Sequence, residues 1–151
     1  MTSRIFRSTL AASLTVLLAA LLVITGCLYG YFGTVQERQL RTELALAVAA
    51  VESGGEDYLS QVGNTAERLT WVAADGTVLY DTRADAASME NHAGRQEIRE
   101  ALTGGHGSSV RYSSTLTEKT VYQAVRLTDG TVLRISGSQK TAWMLALGML
   151  H

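Results

Sequence analysis

The stretch L-A-A-S-L-T-V-L-L-A-A-L-L-V-I-T-G-C-L-Y-G-Y-F, Leu10 to Phe32, contains no charged residue and decides how the chain is organised. About 23 residues at a helical rise of about 1.5 Å cover roughly 34 Å, more than a hydrocarbon core of about 30 Å. We therefore predict a transmembrane helix over residues 10–32. Arg4 and Arg7 precede it. The positive-inside tendency then places residues 1–9 in the cytoplasm and the chain beyond the helix outside the cell.

A lipobox-like string gives the same segment a second interpretation. Ile24-Thr25-Gly26-Cys27 has the aliphatic, small, small, cysteine order of a lipoprotein signal, and processing there would attach lipid to Cys27. Against this, the apolar character continues through Leu28–Phe32, where Tyr29 and Tyr31 suit an interfacial aromatic belt. An ordinary cleaved signal peptide has a shorter apolar run of about 7–15 residues. We expect the membrane helix, and a surface lipoprotein lipidated at Cys27 is the alternative.

Composition limits the rest of the chain to one small domain. Of the 151 residues, about 105 lie between Gln36 and Lys140, which is enough for a single core. The formal net charge is −1 and the signs are mixed, so the chain has no basic surface of the kind that nucleic-acid binding needs. Cys27 is the only cysteine, so we expect a domain without disulfides that is stabilised by packing alone.

Two D-G-T strings predict two β-hairpins. Asp-Gly favours a type I′ turn, because both central residues of that turn need positive φ. The strings begin at Asp75 and Asp129, and the β-prone runs around them are 69–74 and 77–80 for the first, 121–127 and 131–135 for the second. Both hairpins contain D-G-T-V-L. A repeat of five residues indicates shared hairpin chemistry rather than duplication.

Helical patterns and a further strand complete the predicted fold. Apolar residues at spacings of three and four predict an amphipathic helix over 35–52; they are Leu40, Leu44, Ala47, Val48 and Val51. Residues 86–102 are expected to be helical and residues 108–113 to form a strand. The fold class is therefore α+β. We expect the N-terminal transmembrane helix to continue into the amphipathic helix and then into a PAS-like domain, residues 33–140, with an antiparallel sheet of about five strands.

The C-terminal string T-A-W-M-L-A-L-G-M-L, Thr141 to Leu150, is apolar but too short to cross a bilayer. We interpret residues 141–151 as the start of a truncated second transmembrane helix, which would make the chain a fragment. A short terminal helix packed on the domain is the alternative.

Four strings give the chain a resemblance to the extracellular sensor region of bacterial sensor histidine kinases, notably the phosphate-regulon type of clostridial relatives. They are A-D-G-T-V-L-Y-D-T at 74–82, M-E-N-H-A-G-R-Q-E-I at 89–98, G-S-S-V-R-Y-S-S-T-L at 107–116 and D-G-T-V-L-R-I-S at 129–136. The resemblance implies a two-component system in the bacterial cell membrane and a homodimer. It also implies an unknown small ligand or protein stimulus, and a cytoplasmic response regulator reached through a kinase core.

The catalytic half of such a kinase is absent from these 151 residues. The phospho-accepting histidine of the family lies in an H-E-x-x-x-P context, whereas His92 precedes Ala93 and the chain has no proline. We therefore assign no catalytic residue, and expect ATP and magnesium only with the kinase core. Another receptor class behind the same domain, a chemoreceptor or a cyclic-dinucleotide enzyme, is an alternative.

Three arginines are our predicted ligand-binding residues: Arg95, Arg111 and Arg126. A guanidinium group matches the geometry of a carboxylate or phosphate, although solvated or salt-bridged surface arginines are the commoner case. A metal site made from His92, His106, Asp81 and Asp85 has only weak support in the spacing, so we predict none.

Overall fold

The computed structural model describes residues 2–61, 67–112 and 118–140, and the chain divides into two compact units, Met1–Gln36 and Glu37–His151. The elements in chain order are α1 (Thr2–Gly54), α2 (Glu56–Gln61), β1 (Arg68–Val72), β2 (Val78–Asp81), a short 3-10 helix (Ala86–Ser88), α3 (Gln96–Gly104), β3 (His106–Tyr112), β4 (Glu118–Arg126) and β5 (Val132–Lys140).

Helix α1 contains the predicted membrane segment. It is long and apolar enough to cross a bilayer, and it is the one such helix among the residues that the structure describes. Its apolar side chains in the first unit, such as Leu14, Leu21 and Phe32, are more than half exposed. The predicted start of a second membrane helix, residues 141–151, lies outside the described residues.

The second unit is built on one antiparallel sheet with the strand order β2-β1-β5-β4-β3. Side chains alternate between the two faces along each strand. One face packs against the stripe of α1 that the sequence predicts, where Leu40, Leu44, Ala47 and Val51 are buried. Gly55, with φ of 61°, follows the last residue of that helix, as is common where a glycine ends a helix. The α+β class and the five-stranded sheet are thus confirmed.

The second face of the sheet lies under α3, and we call it the α3 face. Half of it is apolar: Ile98 and Ala101 of the helix pack on Val72, Ala124 and Val132. The other half is polar and contains buried charged side chains.

Both D-G-T hairpins form, with turns longer than expected. Ala73 N donates to Thr77 O at 2.8 Å, and Leu127 N donates to Thr131 O at 2.8 Å, so each loop has three residues closed by a left-handed glycine. The prediction of a two-residue type I′ turn is therefore wrong. The repeated string does encode shared chemistry, because in each turn the aspartate side chain accepts from the threonine N–H two residues later, at 2.9 Å.

The prediction of one helix over 86–102 is wrong for residues 89–95, which form a loop. The 3-10 helix ends at Ser88 and α3 begins only at Gln96. The intervening loop instead docks on the first hairpin, where His92 N donates to Gly76 O at 2.7 Å and Asn91 Nδ2 donates to Asp75 O at 3.0 Å. These bonds to the turn replace the hydrogen bonds that a helix would have formed.

Candidate functional site

The strand register collects polar side chains on one half of the α3 face. On β5, Arg134 lies between Thr70 of β1 and Ala124 of β4. One step along the same face, Tyr122 pairs with Ser136 and with Ser109 of β3. Helix α3, which packs on this face, contributes the carboxylate of Glu97. We call the following set the polar cluster: Arg68, Thr70, Asp81, Glu97, Ser109, Arg111, Tyr122 and Arg134.

Glu97 is the centre of the polar cluster. It is fully buried, with 0% of its surface exposed. Its carboxylate accepts from Ser109 Oγ at 2.6 Å, from Arg111 Nη2 at 2.6 and 2.8 Å, and from Arg134 Nη1 at 3.3 Å. Burial acts to raise the pKa of the Glu97 carboxyl, but the Ser109 hydrogen bond and the Arg111 charge outweigh it, so the pKa lies below its usual value. Glu97 is therefore an ionised carboxylate inside the domain.

Tyr122 supports both guanidinium groups that bind this carboxylate. The Cζ of Arg111 lies 4.2 Å from the centroid of the tyrosine ring, and that of Arg134 lies 5.3 Å from it. A cation over an aromatic face is attracted by the quadrupole of the ring. The ring is thus a second contact that the two arginines share besides Glu97.

A second carboxylate extends the polar cluster toward β2. Asp81 accepts from Arg68 Nε at 2.9 Å and from Thr70 Oγ1 at 2.8 Å, and the same threonine oxygen accepts from Arg134 Nη2 at 3.0 Å. Burial acts to raise the pKa of the Asp81 carboxyl. The backbone N–H of Arg83 and the Arg68 guanidinium outweigh burial and lower it. Three arginines in the cluster face two carboxylates, which leaves one positive charge in excess.

Two buried nitrogens in or beside the polar cluster have no hydrogen-bond partner among the described residues. They are Nε of Arg134 and Nδ1 of His92. Both residues are 4% exposed. Burial, with the nearby positive charge of Arg134, lowers the pKa of His92 to about 4. The imidazole is accordingly neutral at physiological pH. It adds no further positive charge beside Arg134.

A polar cleft of about 250 Å³ opens beside the cluster. Its lining shares Arg68 and Tyr122 with the cluster and adds Glu67, Arg83 and three hydroxyl side chains, Thr120, Ser136 and Ser138. The side chain of Arg111 is one-third exposed. The polar cluster is therefore buried at Glu97 and Arg134 and reaches solvent at Arg68 and Arg111.

A larger cleft of about 540 Å³ lies between α1 and the edge of the sheet at β3. Leu44, Val48 and Val125 form its apolar walls, and Arg41 and Glu100 are its charged residues. Its lining also includes the polar residues His106, Ser108 and Gln123. Because the buried carboxylate with its two guanidinium partners lies in the polar cluster instead, we place the functional site on the α3 face.

The three arginines chosen from sequence occupy different places. Arg111 belongs to the polar cluster, whereas Arg95 is the N-cap residue of α3. Arg126 donates to Leu102 O at 2.7 Å at the far end of β4. The partner of Arg111 on that strand is Thr120, six residues from Arg126, or about 20 Å along a strand. The structure thus does not bring Arg111 and Arg126 together.

Sequence reasoning missed Arg134, Arg68 and Glu97. The signal for Arg134 was an arginine inside V-L-R-I-S, because a charge within an apolar strand demands a buried partner. Glu97 offered no such signal, since a glutamate in the first turn of a helix is ordinary.

Among the described residues, no group of three or more histidine, cysteine, aspartate or glutamate side chains is arranged to hold a metal ion. No protein-family model matches the chain, and no curated protein matches it in sequence. The chain's own residues are thus the basis for a functional proposal.

Proposed function

We propose that the chain is the extracellular ligand-sensing input region of a membrane-bound sensor histidine kinase. The observation that carries the proposal is the polar cluster with its adjoining cleft, since an arginine-rich site at the border of core and solvent suits a small anion. The apolar helix α1 supports a membrane anchor. The resemblance of four strings to sensor-kinase sequences, together with the α+β sheet, supports a PAS-like sensor.

The proposed ligand is a small anion that enters through the polar cleft. Arg68 lines this cleft and Arg111 lies beside it over the ring of Tyr122, and both arginine side chains are about one-third exposed. Thr120, Ser136 and Ser138 offer hydroxyl groups for the remaining oxygens of the anion. Binding would change how α3 and the sheet pack together, and a receptor needs two such states with different ligand contacts.

The output in this proposal belongs to a cytoplasmic kinase core. That core would use ATP and magnesium to phosphorylate its own histidine and then a response regulator, within a homodimer. The 151 residues supply the input alone.

A chimera tests the proposal. Residues 1–140 are joined to the second membrane helix and kinase core of a well-characterised sensor kinase, and response-regulator output is measured in cells. We expect Arg111→Gln to change basal output several-fold, because it removes a guanidinium from the polar cluster. Arg99→Gln, an exposed change on α3, is the matched control and should leave output unchanged.

Membrane insertion is checked in the same strains by fractionation. If the inserted chimera gives the same output for wild type, Arg111→Gln and Arg99→Gln, the polar cluster is not part of an input and the proposed function is wrong.

A further inference from the structure

Glu97 has the surroundings of a bound ligand rather than those of a helix side chain. Two guanidinium groups and a serine hydroxyl surround one carboxylate, with contacts between 2.6 and 3.3 Å. Charged residues on a small helix normally face water, and burial of a carboxylate is costly unless every oxygen is paired. Here the domain provides a complete set of carboxylate donors, and its own helix supplies the carboxylate.

The two arginine donors have contacts other than those to Glu97. Tyr122 lies beneath both arginines, and Thr70 accepts a further hydrogen bond from Arg134 at 3.0 Å. Ser109 is fixed by its position on β3 opposite Tyr122. These contacts would help to hold the donors in place if the Glu97 side chain left.

The polar cleft lies next to these donors, although its lining does not include them. Tyr122 lines the 250 Å³ cleft and also carries Arg111 and Arg134 on its ring. The exposed third of the Arg111 side chain provides a first contact for an anion before Glu97 moves. Competition for Arg111 can therefore begin at the surface.

We propose that the Arg111, Arg134 and Ser109 donors form a binding site for a free carboxylate, and that Glu97 is its built-in occupant. A small carboxylic acid entering from the cleft takes the place of the Glu97 side chain and releases the first turn of α3. This inference rests on the proposed sensing function, and it names both the ligand class and the moving element.

The first experiment removes the occupant. The full chain with Glu97→Ala is reconstituted in nanodiscs, and its Tm is followed by circular dichroism while sodium acetate replaces sodium chloride at constant ionic strength. We expect a Tm below that of wild type and a saturable rise with acetate in the millimolar range that restores most of the loss. Glu100→Ala is the matched control, because it removes another carboxylate one turn along the same helix. Acetate should raise its Tm far less, since the acetate must first displace Glu97.

Two results would overturn the site. One is an absence of saturable acetate stabilisation in Glu97→Ala, and the other is an equal rise in Glu97→Ala, Glu100→Ala and wild type. If Glu97→Ala shows no cooperative transition in chloride, a transition that appears only with acetate supports the site. Failure to appear, while the isosteric Glu97→Gln folds normally, contradicts it.

The second experiment follows displacement in the wild-type chain. Side-chain carboxyl carbons of glutamate are observed by NMR during titration with succinate, a dicarboxylate probe. We expect the Glu97 resonance to shift toward that of a solvated glutamate with a saturable dependence, while Glu100 stays unchanged. An unchanged Glu97 resonance at saturating succinate would show that Glu97 is a permanent structural group. If acetate restores the Tm of Glu97→Ala but carboxylates do not change the output of the kinase chimera, the binding site is supported and the sensing function is contradicted.

Discussion

The backbone of Glu97 rests directly on the Cα of Gly107. A Cβ atom at residue 107 would overlap the carbonyl oxygen of Glu97 and would lie 2.8 Å from its carbonyl carbon and 2.9 Å from Ala101 N. Helix α3 and strand β3 thus approach as closely as a glycine allows. This approach places the Glu97 side chain at the depth where Arg111, Arg134 and Ser109 can all reach it.

Gly107→Ala should therefore separate α3 from the sheet. Because the overlapping atoms are backbone, the helix must move, and we expect a loss of about 1–3 kcal/mol in the free energy of unfolding. Urea titration of the full chain in detergent measures it. Gly104→Ala, in the last turn of α3, is the control, since a Cβ added there would have no neighbouring atom within 4 Å. Equal effects of the two substitutions would contradict the close approach.

The two hairpin glycines offer a matched comparison. Gly76 and Gly130 occupy the same place in the D-G-T turns, with φ of 89° and 87°. Alanine at either residue costs about 1–2 kcal/mol for left-handed backbone. At Gly76 the new Cβ would also overlap Asn91 and Ala93, whereas the space around Gly130 is open. We expect Gly76→Ala to lower the urea midpoint clearly more than Gly130→Ala. Identical midpoints would contradict the docking of the loop at residues 89–95 on the first hairpin.

Local patterns in the sequence predict the local parts of this structure and miss the distant contacts. Periodicity is sufficient for the buried stripe of α1 and for both hairpins, because those patterns repeat within a few residues. It fails for the loop at residues 89–95, because the docking of that loop on Gly76 is a contact distant in sequence. The polar cluster needs the strand order β2-β1-β5-β4-β3, which alone places Arg134 between Thr70 and the ring of Tyr122. Residue types identify Arg111 but not its partners.

His92 should give the domain a pH-dependent stability. Its pKa is about 4 in the folded chain and 6.5 when unperturbed. The folded pKa is depressed, so between these values the unfolded chain binds the extra proton and stability falls as the pH falls. From pH 7 to pH 5 the expected loss is about 2 kcal/mol for this group. Urea titrations at the two pH values measure it.

The His92→Gln variant should lose most of that pH dependence, while His106→Gln, on an exposed part of β3, should retain it. Below about pH 5 carboxylates also titrate, and the depressed pKa values of Glu97 and Asp81 remove further stability as they become protonated. A wild-type chain equally stable at pH 7 and pH 5 would contradict the burial of a neutral His92.

Membrane topology distinguishes the interpretations of the N-terminal segment. In a Cys27→Ser background, a cysteine introduced at the exposed Glu90 should react with a membrane-impermeant maleimide in intact cells, because the domain is expected outside the membrane. A cysteine introduced at residue 2 should react only after lysis. Labelling at Glu90 that requires lysis would invert the proposed orientation. Palmitate incorporation that depends on Cys27, with loss of the N-terminal residues, would favour the lipoprotein alternative.

Substitutions of Arg111 and Arg126 compare an arginine of the polar cluster with an arginine on the surface. Arg111→Gln leaves the buried Glu97 carboxylate without its two shortest guanidinium contacts, 2.6 and 2.8 Å, and we expect a loss of about 2–4 kcal/mol in the free energy of unfolding. Arg126→Gln removes one exposed bond to Leu102 O, and the loss should stay below about 1 kcal/mol. Urea titrations at pH 7 compare the two. Pairing each with Glu97→Gln gives a double-mutant cycle, in which Arg111 should couple to Glu97 and Arg126 should be additive. Additivity for both would mean that Arg111 does not hold the Glu97 carboxylate in solution. The site on the α3 face would then lack the arginine proposed as the first contact for an anion.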